Sequence, residues 1–145
     1  MALCKFVSAI RDGTPIDVYN RGNMKRDFIY IDDLVDALVR LINVAPHSLD
    51  NRGAALSGDS LSAVAPWRVV NIGSSNPMML RDIIAVIEAA LGQEAEKNFV
   101  PIQLSDVSAT WAETRLLHQL VGEVPQTLLQ KGIQSFVDWY IAEKI

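Results

Sequence analysis

Several sets of residues in this chain have types and spacings that could do chemistry. Gly58-Asp59-Ser60-Leu61 offers a serine nucleophile, which needs a nearby base to take its proton. The only histidine downstream, His118, has Arg115 rather than an aspartate three residues before it, and Ser60 sits in a loop rather than directly after a buried strand. Tyr140 and Lys144 stand four apart, a spacing that on a helix puts a lysine beside a phenol and lowers the phenol's pKa for proton transfer. Lys144 is the penultimate residue, and the glycine loops Gly-x-Gly-x-x-Gly and Gly-x-x-Gly-x-x-Gly are absent, so Tyr140 reads as an aromatic at the edge of a core. His47 and His118 have no second histidine or cysteine at ligand spacing, so no metal site is expected. Asp32, Asp33 and Asp36 need no explanation beyond complementing the dipole at a helix start.

The stretch Gly22-Asn23-Met24-Lys25-Arg26-Asp27-Phe28-Ile29-Tyr30-Ile31-Asp32-Asp33-Leu34 is different. It places a glycine-containing turn, two adjacent cations and a strand immediately before a helix. An arginine projecting from the start of a strand can hold a diphosphate through two parallel hydrogen bonds. A surface pair of Arg26 with Asp27 fits the same residues, and chemistry alone leaves both open.

These residues must be positioned by a small set of elements. Leu3, Phe6, Val7 and Ile10 fall on one helical face over residues 2–12, with Gly13 at the left-handed C-cap position. No capping residue is expected at the start of that helix. Ile16-Asp17-Val18-Tyr19 alternates like a strand and ends in a turn at Asn20-Arg21-Gly22-Asn23. A second strand is expected at 27–31, then a helix capped by Asp32 or Asp33, with Leu34, Val35, Leu38, Val39, Leu41 and Ile42 toward a core. Residues 45–66 read as a long loop. Trp67–Ile72 reads as a short strand, about 79–91 as a buried helix stopped by Gly92, and 99–103 as a further strand. A helix over 112–121 ends at Gly122. Thr127 and Gln130 suggest a capping box for a last helix with Ile133, Phe136, Val137, Tyr140 and Ile141 inward. Alternating strands and helices give an α/β or α+β class, with few strands for a self-contained doubly wound sheet.

Composition narrows the function classes. The chain has 145 residues, half of them hydrophobic, with 13 Lys+Arg against 17 Asp+Glu and a net charge of -4. That length favours one domain with a real core. The acidic balance argues against sequence-independent nucleic-acid binding. The longest apolar run, Ile83 to Leu91, is short of a membrane span and contains Glu88, and Lys5 and Arg11 interrupt any secretory leader. A single cysteine, Cys4, fits a reducing compartment, and a cytoplasmic location is expected.

The Arg26-Asp27-Phe28 stretch resembles the Arg-Asp-[Phe/Tyr]-x-x-[Ile/Val]-x-Asp segment of extended short-chain dehydrogenase/reductases that act on nucleotide sugars. The resemblance continues through Ser57-Gly58-Asp59-Ser60, through the run from Ala65 to Pro77, and through the run from Gly132 to Tyr140. Together these look most like UDP-glucuronate 4-epimerases, over essentially the whole chain. The resemblance implies an α/β fold: the carboxy-terminal part of the extended dehydrogenase fold, a mixed substrate-binding lobe with the last strand and helix of a Rossmann sheet. It implies one region over 1–145, with the amino-terminal NAD-binding domain, its glycine loop and its Tyr-x-x-x-Lys pair outside this chain. By resemblance, Arg26 contacts the UDP diphosphate and Phe28 lies nearby. Gln103 and Asp106 stand where the family has Gln/Arg-Pro-Gly-Asp, the polar head on the phosphates and the carboxylate on the ribose hydroxyls. Leu104 and Ser105 replace the turn-forming Pro-Gly. Glu123 replaces an aromatic after a glycine.

The implied activity of the full enzyme is C4 epimerisation of a UDP-sugar of the glucuronate/galacturonate class. NAD takes hydride from C4, the 4-keto sugar rotates, and hydride returns to the other face. The isolated chain is expected to be inactive and to bind no NAD itself. It is also expected to be partly unfolded or self-associated for want of the amino-terminal half. Two alternatives remain: a truncated, non-catalytic module that binds UDP-sugar or docks on a partner, and an esterase acting through Ser60.

Overall fold

The computed structural model describes residues 2–46, 56, 58–103 and 106–143. The chain forms two compact units whose segments alternate along the sequence: residues 1–26, 77–110 and 128–145 make the first, and 27–76 with 111–127 make the second.

The first unit is built on helix-on-helix packing. Helix α1 (Ala2–Arg11) buries Val7 and Ile10, and Gly13 takes the left-handed conformation (φ 64°) that stops it. Helix α3 (Leu80–Leu91) packs against α1 and against α5 (Leu129–Ala142). Its Ile83, Ile84 and Ile87 are fully buried, the i, i+1, i+4 pattern of a helix with neighbours on two sides. From α5, Ile133, Val137 and Tyr140 complete this core, while Ile141, expected inward, is half exposed. Strand β1 (Ile16–Tyr19) buries Ile16 and Val18 with Asp17 outward, and pairs in parallel with β4 (Lys97–Val100). A second sheet has the order β3–β2–β5: β2 (Lys25–Arg26) is antiparallel to β3 (Met78–Met79) and parallel to β5 (Ala109–Thr110).

The second unit has a thin core. Helix α2 (Ile31–Ile42) packs on α4 (Arg115–Val121), and the buried side chains are Ala37, Leu117, Asp33 and Thr114. Most of the face expected inward is outward: Val35, Leu38, Val39 and Ile42 are 47–70% exposed, while Leu34 and Leu41 are half-buried. The short α4 meets the Asp33–Ala37 side instead.

Four local expectations are corrected. The 27–31 strand ends before it begins, because the ladder stops at Arg26 and the Asp27 side chain takes over the hydrogen bonding. Neither Asp32 nor Asp33 caps α2. Tyr30 is its N-cap residue without a side-chain bond, and Asp33 instead accepts the Thr127 N–H (2.6 Å) and hydroxyl (2.9 Å). That engagement also removes Thr127 from the capping box: α5 starts after Leu128 with no side-chain cap. Trp67–Ile72 joins no ladder among the described residues. It is held by a clasp, in which Arg68 pairs with Asp59 through two bonds of 2.9 Å while the Ser60 hydroxyl donates to the Val69 carbonyl and accepts its N–H. Of the long loop at 45–66, residues 45, 46, 56 and 58–66 lie within the described residues; His47 and Ser57, and elsewhere Leu104, Ser105 and Lys144, do not.

Candidate functional site

Arg26 is set at the end of the central strand of a three-stranded sheet, paired with Met78 on one side and Thr110 on the other. Backbone pairing on both flanks fixes where its side chain leaves the sheet. Its Nη1 donates to the carbonyls of Lys25 (2.8 Å) and Val107 (3.1 Å), and its Nη2 stands 3.9 Å from the Asp106 carboxylate. The guanidinium is 29% exposed and Asp106 36%, so both reach solvent. A pair this open and this long adds little stability, well under about 1 kcal/mol, and its effect is to orient the fork.

Asp106 and Gln103 are linked directly: the Asp106 N–H donates to the Gln103 carbonyl at 3.0 Å. The Gln103 amide donates to the Tyr19 hydroxyl (3.1 Å), at the end of β1. The structure therefore brings Arg26, Asp106 and Gln103 into one unit and one connected set of contacts, and it adds Tyr19. Nothing in the spacing of the sequence pointed to Tyr19. Its signal is that β1 and β4 pair in register, Tyr19 opposite Val100, three residues before Gln103. Phe28 belongs to the second unit, where it is half-buried.

Other candidates take ordinary places. Tyr140 is buried beside Phe136, with the Arg11 guanidinium 5.4 Å over its ring. Ser60 is bonded to the Val69 backbone within the clasp. His118 Nδ1 lies 3.3 Å from the Gly122 carbonyl and 3.8 Å from the Glu123 carboxylate, whose side chain is otherwise exposed.

The glycine turn after the extended segment 67–72, Gly73-Ser74-Ser75, does not fit a dinucleotide's phosphates. Its donors are already aimed at the Asp27 carboxylate, and a Cβ on Gly73 would lie 2.5 Å from the Ala112 Cβ and 2.8 Å from Asp27 Oδ2. The glycine is there for close packing within the protein.

Comparison with known proteins gives this arrangement its context. Residues 1–51 match the NAD dependent epimerase/dehydratase family. The chain is 44% identical over 140 residues to a Rhizobium meliloti protein named probable UDP-glucuronate 4-epimerase, covering 97% of this chain and 41% of that one. It is 33% identical to Arabidopsis thaliana UDP-glucuronate 4-epimerase 1, covering 98% and 33% respectively. Among solved structures, UDP-glucuronic acid 4-epimerase from Bacillus cereus, in complex with UDP-glucuronic acid and NAD, superposes with a TM-score of 0.75 at 24% identity, over 100% of this chain and 40% of that one. The fold is that of the extended short-chain dehydrogenase epimerases, present in part. The match to the NAD dependent epimerase/dehydratase family covers the first 51 residues, UDP-glucuronate 4-epimerases are among the chain's homologues, and the chain spans about two fifths of the length of the Rhizobium relative.

Proposed function

We propose that this chain is the UDP-sugar-gripping part of a UDP-glucuronate 4-epimerase. Arg26 holds the diphosphate, Gln103 reaches the phosphates and Asp106 the ribose hydroxyls, with Phe28 near the nucleotide. The observation that carries this is the convergence of Arg26 and Asp106, eighty positions apart in sequence, at 3.9 Å, with Asp106 bonded to Gln103. An arginine fork already oriented by two carbonyls and a carboxylate exchanges them for phosphate oxygens with little rearrangement. In the complete enzyme these contacts supply binding energy remote from the reacting carbon and hold the nucleotide while the 4-keto sugar turns. NAD would supply the hydride chemistry, and its site lies in the remaining length of the relatives. The chain alone binds UDP-sugar without turning it over.

Calorimetric titration of the chain with UDP and with UDP-glucuronate tests the reading. Arg26→Ala removes charge-assisted bonds and should weaken binding about ten- to a hundredfold. Binding that is absent, or that Arg26→Ala leaves unchanged, overturns it.

A second reading, favoured by the outward apolar face of α2, is that the chain docks on a polypeptide supplying the NAD-binding half. The Rhizobium relative carries the other 59% of its length, the remainder after the 41% matched, in which to supply such a surface.

A further inference from the structure

On β1, Ile16 and Val18 are buried, so Asp17 and Tyr19 leave the strand on the opposite face. Their partners in the parallel register, Asn98 and Val100, share that face. Two side-chain bonds join β1 to the β4 segment there. Asn98 Nδ2 donates to Asp17 Oδ1 (2.7 Å), and farther along the Gln103 amide donates to the Tyr19 hydroxyl (3.1 Å). The second bond falls where the backbone no longer supplies a link. Pro101 follows Val100 and has no N–H to give, so the ladder ends there and the chain runs on to Gln103 outside any strand.

Tyr19 is a firm point of attachment. Directly after it, Asn20 (φ 48°), Arg21 (φ 52°) and Gly22 (φ 75°) all take the left-handed conformation. The Asn23 N–H closes this turn on the Asn20 carbonyl (2.9 Å), and Asn20 Nδ2 donates to the Asn23 carbonyl (3.2 Å). The turn is seated on α3, where a Cβ on Gly22 would come within 2.9 Å of the Arg81 Cβ. Two successive non-glycine residues with positive φ persist only where the surroundings fix the path. Gln103, by contrast, is an exposed residue with a long side chain, whose rotamer freedom must be given up when it grips a ligand.

We infer that Tyr19 is the positioning residue for Gln103. The Asp106 N–H holds the Gln103 main chain at its carbonyl, and the Tyr19 hydroxyl holds the far end of the side chain. One amide N–H is engaged by the hydroxyl, which leaves the other free for a phosphate oxygen. The carboxamide is thus ordered before an anion arrives, and less freedom is lost on binding. This rests on the reading of Gln103 as a phosphate contact, and every group in it lies within the first unit. The same face supplies a control of like chemistry: the Asn98–Asp17 bond also joins β1 to β4 but touches neither Gln103 nor Asp106.

The test is calorimetric titration of the full chain with UDP, with amide spectra reporting the Gln103 side chain and thermal melts reporting stability. Tyr19→Phe keeps the ring and deletes only the acceptor. It should weaken UDP binding about three- to tenfold, the range for one hydrogen bond, without lowering the melting temperature. In the absence of ligand it should also move the Gln103 side-chain amide signals to those of a freely rotating glutamine. Gln103→Ala should weaken binding at least as much, and adding Tyr19→Phe to it should cost less than about a further twofold, because Tyr19 acts through Gln103. Asn98→Ala should leave affinity within about twofold. Unchanged affinity or unmoved Gln103 signals in Tyr19→Phe, losses that add in the double variant, or an equal loss in Asn98→Ala overturns the positioning role, and a weakened Gln103→Ala then leaves the reading of Gln103 standing. Absence of UDP binding by the unaltered chain, or binding that Gln103→Ala leaves unchanged, overturns the reading of Gln103 and takes this inference with it.

Discussion

At the scale of single residues, the molecule uses carboxylates as connectors, and their chemistry makes its stability depend on pH. Glu88, on α3, accepts from the Ala95 N–H (2.8 Å) and from Lys97 Nζ (2.5 Å). Burial by itself raises its pKa, but the Lys97 bond, the Ala95 bond and the Lys97 charge together outweigh burial and hold it below the ordinary 4.5. A group depressed in the folded state contributes stability that is present above its unfolded pKa and is lost as pH falls through the folded value. The window is therefore below pH 4.5. Urea unfolding at pH 6.5 and at pH 3 should show the chain losing stability on acidification, with Glu88→Gln losing about 1 kcal/mol less because the partly exposed pair is screened. Identical pH dependence in both would rule out this role for Glu88.

At the scale of elements, the first unit's helices carry most of the buried apolar surface. Replacing Ile87 by Ala leaves a cavity where α1, α3 and α5 face one another and should cost about 2–4 kcal/mol, read as a lower urea midpoint with an unchanged slope. Ile87→Val, which removes one methylene, should cost about 1 kcal/mol. The same elements were the most legible in sequence: α1, β1 and α3 combine a clear period with glycines at 13 and 92 that stop the helices. What sequence could not give was the use of side chains in place of backbone. Asp27 ends a strand by imitating the ladder, Asp33 leaves its own helix to hold Thr127, and Asp59 with Ser60 anchors an extended segment that has no strand partner among the described residues. Nor could the period of α2 say which side lay inward, because it repeats every 3.6 residues whether or not a neighbour covers that stripe. In the site, Arg26, Gln103 and Asp106 were reachable through resemblance, whereas Tyr19 needed the β1–β4 register.

At the scale of the whole molecule, the outward face of α2 sets how the chain behaves in solution. Ile31, Val35, Leu38, Val39 and Ile42 present exposed branched aliphatic side chains along one helix, and Trp67, Val69 and Trp111 are exposed in the same unit. Patches of this kind mark interaction surfaces or aggregation sites. Sedimentation of the isolated chain should show concentration-dependent association, reduced in the double variant Val35→Asp, Leu38→Asp without a lower melting temperature, since both positions are exposed. A monomer at all concentrations would count against the face as a contact surface. The alternating units carry a different consequence, for synthesis. The three helices that make the first core lie at residues 2–11, 80–91 and 129–142. Ile83, Ile84 and Ile87 therefore stay partly uncovered until α5 has been made and can pack on them. Closing that core waits on distant pairings, the kind of topology that folds slowly and leans on chaperones while it waits.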